Sequence, residues 1–398
     1  MNISTSISPY MKRLPVPVTQ TLKHLIFAII ISSLTAAYCQ PIKIGLTASE
    51  KLTQSLSQSL LPIAVEIASS SGSMVDLNFF DLCYCGSVTE NSAKFIIAAK
   101  TGKPDIVRAK HLIERSLCND KAALLNSILS NPEAPDPIVI GFVDASWSSG
   151  LLSFRISDLS VVVKTPDKKF EDELVNQIKE SAKLNYDIVT KDMKIKVSDS
   201  QSIPIHVRPF FFQDKIAFTI APSELFRIDE LVKPSSEEMF DDNSNAILNV
   251  DYGFLNFLSV NHFANEKIKL DKGGFKFEIS AFRFFGNENG LKASCNIFST
   301  DIDTNFDGDL NIRKDLTLEN CDIRPQSNNF VARGAASLAK SQVNGKFKDK
   351  PLVRDSDLRQ EFPLKIREKE YVLYLQVSKA IPLIDKFKIN SDLFLESH

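Results

Sequence analysis

The sequence predicts an α+β protein whose long, highly curved antiparallel sheets wrap around a few helices. Three observations carry that reading. Apolar and polar residues alternate over several long runs, above all in the second half, which is the period of half-buried strands with one dry and one wet face. Helical spacings of three and four are confined to a few segments. The chain holds 28 Phe against 7 Tyr and 1 Trp, so it has aromatic bulk without polar handles for an apolar interior.

The first element is not part of the fold. Leu25 to Ala37 is an uncharged apolar run, preceded by Lys12, Arg13 and Lys23 and followed by small residues. This is the layout of a secretory signal peptide. The run falls short of the roughly twenty apolar residues a spanning helix needs. Met11 offers a second start, and cleavage fits after Ala37 or after Cys39. Tyr38 is too bulky for a lipoprotein site at Cys39. Residues 1–39 are read as signal peptide, 40–235 as an N-terminal α+β domain and 245–398 as a C-terminal β-rich domain, joined by the polar, acidic stretch 233–244. The expected location is periplasmic or extracellular. No Asn-x-Ser/Thr occurs after the leader, which favours a bacterial periplasm over a eukaryotic secretory route.

Ile42 to Leu46 reads as a strand. Leu52, Leu56, Leu60, Ile63 and Ile67 then mark one face of a helix, with a kink or break expected at Pro62. Residues 76–100 read as two strands around a Cys-Tyr-Cys-Gly turn, and 105–130 as one or two helices. Ile138 to Val143 and Leu151 to Val163 are strands, Phe170 to Ala182 a helix, and 186–220 a run of strands. Ile247 to Val250 followed by Phe254, Leu255, Leu258 and Val260 repeats the strand–helix opening, which points to two related halves. Phe275, Phe277 and Ile279 lead toward Phe282 and Phe284, a turn at Gly286 to Gly290, and further strands at 291–297, 310–318, 371–377 and 387–395.

A net charge of −2 gives no basic excess for phosphate backbones, so no nucleic-acid partner is expected. Only 14 Gly are present and no phosphate-cradling glycine motif occurs, so no nucleotide cofactor is expected. In an exported chain the cysteines lean toward disulfides. Cys295 with Cys321 is the expected pair, provided a bulge turns Cys321 inward, because strict alternation from Leu316 and Leu318 would put Asn320 there. Cys83 or Cys85 pairs with Cys118, but not both. The same cysteines with His111 are the zinc alternative.

Asp303, Asn305, Asp307 and Asp309 match the first half of a calcium-binding EF-hand loop, with Gly308 at the sixth position. The twelfth position is Lys314 in place of a bidentate Glu, and the flanks read as strands, so a solvated hairpin is the preferred reading. Ser337 to Lys340 and Lys100 to Gly102 are short strings common by chance. His206 and His262, in a strand and a helix, have no partner suggested by the sequence.

The order of elements resembles the tubular lipid-binding proteins, the superfamily of the bactericidal/permeability-increasing and lipid-transfer proteins. The resemblance rests on the openings Ile42 to Ile67 and Ile247 to Val260 and on the strands at 186–220, 265–323 and 362–395. It implies curved strands rolled around a helix, a repeated module, and an apolar groove for acyl chains. The helical stretch 105–130 departs from that pattern. The expected function is therefore an exported, non-enzymatic protein that binds or shuttles a lipid-like apolar ligand in the cell envelope and contacts a membrane surface. Its groove residues would be Leu52, Leu56, Leu60, Phe275, Phe277, Phe284, Phe387 and Leu393. The alternatives are a structural or adhesive envelope protein with a closed core, and a secreted hydrolase.

Overall fold

A computed structural model describes residues 43–52, 63–68, 74–101, 113–134, 136–163, 172, 174–176, 186–196, 201–234, 240, 244–263, 268–272, 275–352, 359–366 and 369–397. The predicted leader and most of the 233–244 stretch lie outside these residues. The chain is mostly strand, with two strongly curled antiparallel half-barrels and few helices, as its periodicity requires. No helix among the described residues is long and apolar enough to cross a membrane.

The first half runs β1 (Ile44–Ser49), then a six-stranded sheet of β2 (Ile63–Ala68), β3 (Met74–Thr89), β4 (Ser92–Thr101), β5 (Ile138–Ser148), β6 (Leu151–Val162) and β7 (Tyr186–Val189). Helix α1 (Lys121–Ser130) lies between β4 and β5, and β8 (Met193–Lys196), β9 (Ser202–Phe211) and β10 (Lys215–Pro222) follow. The second half runs β11 (Ala246–Asp251), α2 (Tyr252–Phe263) and a five-stranded sheet of β12 (Ile268–Lys272), β13 (Phe275–Asn287), β14 (Gly290–Ser299), β15 (Thr304–Arg313) and β16 (Leu318–Pro325). It ends with α3 (Phe330–Phe347), β17 (Arg359–Ile366), β18 (Lys369–Pro382) and β19 (Lys386–Ser397).

One eight-stranded sheet joins the halves, in the order β17-β18-β19-β11-β1-β10-β9-β8. Read outward from its middle, β1 is followed by β10, β9 and β8, and β11 by β19, β18 and β17. Each half thus contributes its first strand and its last three, in the same order, and β1 meets β11 antiparallel with Ile44 opposite Val250.

Three expectations fail for local reasons. Ile63 to Ala68 is a strand, not the end of a helix: Pro62 breaks the pattern, and the β-branched Ile63, Val65 and Ile67 then alternate with Ala64, Glu66 and Ala68. Ile63 and Ile67 satisfy both periods, which is why the helical spacing misleads. Leu52 sits buried in a helical turn at 50–52, while Leu56 and Leu60 lie outside the described residues. The Cys-Tyr-Cys-Gly segment does not turn. β3 runs through it with register shifts that bend the strand, and the reversal comes at Glu90 and Asn91. Near 316 the opposite occurs: the chain reverses at Lys314 to Thr317, splitting one expected strand into β15 and β16.

Candidate functional site

The five-stranded sheet curls over a cavity of about 260 Å³ whose surface is wholly apolar. Its walls come from β13 to β16, its ends from Leu255 of α2 and Phe387 of β19, and its cover from α3. Phase control in β13 and in the edge strand β16 makes this wall continuous. In β13 the register shifts between Ile279 and Phe282, so that Phe277 and Ile279 face inward before the bulge and Phe282 and Phe284 after it. In β16 it shifts between the partners of Asn311 and Ile312, so that Leu318 faces inward, Glu319 is extra, and Cys321 and Ile323 face inward beyond it.

Beside these two bulges the backbone of each strand also bonds to a helix. Asn256 of α2 accepts the N–H of Phe284 at 2.6 Å and donates to its carbonyl at 3.1 Å, and Ser259 accepts the N–H of Phe282 at 3.2 Å. Asn344 of α3 accepts the N–H of Cys321 at 2.7 Å and donates to its carbonyl at 2.8 Å. Open sheet edges leave unpaired backbone groups that must be covered, and here two asparagines and a serine cover them.

The inner face of α3 is built of small residues. Ala332, Ala335 and Ala336 are buried against Phe306, and Ala339, Val343 and Phe347 continue the wall. The spacing of these residues is helical in the sequence itself. Gly308, inside β15, opens the floor: a Cβ there would meet Cys295 Sγ at 2.9 Å. Phe277 and Phe306 meet edge-on at 6.2 Å between ring centres.

Of the predicted groove residues, Phe277, Phe284 and Phe387 line the cavity. The side chain of Phe275 is outside the described set, Leu393 pairs opposite Leu375 away from the wall, and Leu52 is buried beyond β1. Cys295 and Cys321, expected to bond, are buried free thiols. The anticipated bulge does turn Cys321 inward, but β15 lies between β14 and β16. Two strand spacings are about 10 Å, beyond the reach of a disulfide. Burial pushes the Cys295 thiol up to about 12 and the Cys321 thiol up to about 11, so both stay protonated and serve as apolar wall. The disulfide that is present joins Cys85 to Cys118, leaving Cys83 free and the zinc set without two of its ligands. His111 lies outside the described residues.

The calcium candidates do not converge. Asn305, Asp307 and Asp309 follow one another along the outer face of β15 at every second position, about 7 Å apart, and Asp303 sits in the preceding turn. Asp309 is committed to Ser294 at 2.6 Å, Lys292 at 3.2 Å and Arg324, and Asp307 accepts from Gln326 at 2.8 Å. Among the described residues no group of three or more His, Cys, Asp or Glu is placed to hold a metal.

No protein-family model matches the chain, and no curated protein matches it. Eight solved chains match in structure. P47 of Clostridium botulinum E1 is 13% identical with a TM-score of 0.33, covering 89% of this chain and 99% of that one. P47 from Clostridium botulinum A2 is 10% identical with a TM-score of 0.35, covering 88% and 97%. A lipopolysaccharide binding protein is 12% identical with a TM-score of 0.25, covering 89% and 99%. Scores at this level leave function to be argued from the chamber itself.

Proposed function

We propose that the chain binds a lipid-like apolar ligand in the chamber beneath α3, and that it does so as an exported protein of the tubular lipid-binding superfamily. The observation that carries the reading is the wholly apolar cavity of about 260 Å³. An apolar cavity of about 150 Å³ suffices to bind benzene. A hydrocarbon tail gains about 0.8 kcal/mol for each CH₂ it buries, with no polar group needed in the wall. The superfamily reading is supported by the repeated strand order about the β1–β11 pair. Export is supported by the leader pattern and by the Cys85–Cys118 bond, since disulfides persist in oxidising compartments.

Organic extraction of the purified protein followed by mass spectrometry should release a lipid, and a fluorescent fatty acid should compete for the vacated site. Ala339→Phe, which puts a ring into the chamber from its cover, should abolish that binding while the protein still melts cooperatively. Protein that carries no lipid and ignores the fatty acid, or a filled variant that binds as before, would overturn the reading.

A further inference from the structure

α3 has a second face. While its alanines line the chamber, Phe330, Val331 and Leu338 stand 82%, 51% and 62% exposed on its solvent side. Phe330, Gly334 and Leu338 succeed one another at steps of four, so they stack along one stripe of the helix, and Val331 adjoins them. Ser337, Ser341, Gln342 and Gly345 fill the rest of that face, which carries no charge. A Cβ placed on Gly334 or on Gly345 would have no neighbour within 4 Å.

The borders of this face are basic. By helical geometry Arg333 and Lys340 flank it on one side and Lys346 on the other, and the exposed Lys348 and Lys350 follow the helix. α3 contains no acidic residue; Asp322 pairs with Lys340 at 2.7 Å and Asp349 with Arg313 at 2.8 Å, which leaves the positive charge of the border to Arg333, Lys346, Lys348 and Lys350. In a chain whose net charge is −2 this is a strong local reversal of sign. Exposed aromatic and aliphatic side chains framed by Lys and Arg are the chemistry of a helix lying in the interface of an anionic bilayer: the apolar tips enter the headgroup boundary and the cations meet phosphate.

We propose that the outer face of α3 docks the protein on the surface of an anionic phospholipid membrane. The proposal builds on the lipid-chamber reading. Docking would set the cover of the chamber, one helix thick and walled by Ala335, Ala336 and Ala339, directly against a reservoir of lipid. Only the Asn344 bonds to Cys321 and the Lys340–Asp322 pair tie that helix to β16 by polar contacts among the described residues.

The test is flotation of the full chain with phosphatidylcholine vesicles made with and without phosphatidylglycerol. It compares wild type with Phe330→Ser/Leu338→Ser and with Arg333→Glu/Lys346→Glu. All three proteins share one N terminus, so differences report on α3, and matching melting temperatures establish that the exposed substitutions leave the fold intact. Wild type should float with the anionic vesicles, less so at high salt, and each double variant should bind about tenfold more weakly or worse. Loading of a fluorescent fatty acid from solution should be unchanged in both variants. Variants that float like wild type, or a wild type that ignores phosphatidylglycerol, would overturn the docking surface even if the chamber loads. Flotation that depends on α3 in a protein whose chamber never loads would sink the chamber reading and uphold the docking surface.

Discussion

Arg208 shows how much one side chain can hold. Its guanidinium lies 4.7 Å from the ring centres of both Trp147 and Phe210, donates to the carbonyls of Asp229 at 3.1 Å and Leu231 at 2.8 Å, and reaches Asn91 Oδ1 at 3.3 Å. It thereby ties β9 of the central sheet to β5, to the β3–β4 reversal and to the segment leaving β10. Arg208→Ala should cost about 2–4 kcal/mol, read as a lowered urea midpoint, because it removes two ring contacts and the donor to the part-buried carbonyl of Leu231 together. Asp251 makes the opposite case. It is buried at the end of β11, its Oδ2 has no hydrogen-bond partner among the described residues, and burial raises its pKa from 3.8 to about 6. The folded protein therefore holds this proton more tightly than the unfolded chain does. Stability falls as pH rises between about 4 and about 6 and the cost is constant above that. Asp251→Asn should be more stable than wild type at pH 7.5 by on the order of 1–3 kcal/mol and no different at pH 3.5. Thermal melts of the two proteins across that range are the check.

At the level of elements, the device that recurs is an asparagine on a helix bonded to both backbone groups of one residue of the curled sheet beside a bulge. Asn344→Ala would leave the N–H and carbonyl of Cys321 without their partner, at a cost of about 2–3 kcal/mol. Because the loss falls on the cover of the chamber, amide exchange along α3 should speed up more than exchange in β14 and β15, which keep strands on both sides. This device was not legible in the sequence. Asn256 and Asn344 look like ordinary solvated helix residues until a strand is laid beside them. The bulges were partly legible. The inward parity changes between Ile279 and Phe282, and again between Leu318 and Cys321, and a parity change is the mark of an extra residue. The curved antiparallel sheets and the strand–helix opening at β11 and α2 were readable because alternation and helical spacing do not overlap there. The stretch Ile63 to Ile67 reads as the end of a helix in the sequence because two isoleucines four apart fit either period. Phe277, Phe284 and Phe387 could be picked out as inward residues of strands, whereas α3 covers the chamber largely with alanines, and its bulkier residues fall on both faces of the helix, so no single apolar stripe marks it out.

For the whole molecule, the lipid binding proposed for the chamber would make ligand and stability one quantity. A lipid that binds only the folded form at a hundred times its dissociation constant adds about 2.7 kcal/mol. Delipidated protein should therefore melt at a lower temperature than protein as purified, and adding back the extracted lipid should restore the difference. Identical melting curves before and after extraction would argue against a resident ligand. The order of the central sheet carries a separate consequence. β1 is the first described strand of the chain, yet it sits fourth from one side of that sheet, and its partners lie at residues 215–220 and 246–250. A ribosome or a translocation pore delivers the chain in order, so this strand must wait, unpaired, through most of synthesis before its neighbours arrive. Because distant pairing is intrinsically slow, the two halves can be joined only as a late step, when a waiting N-terminal segment is captured between strands made long after it.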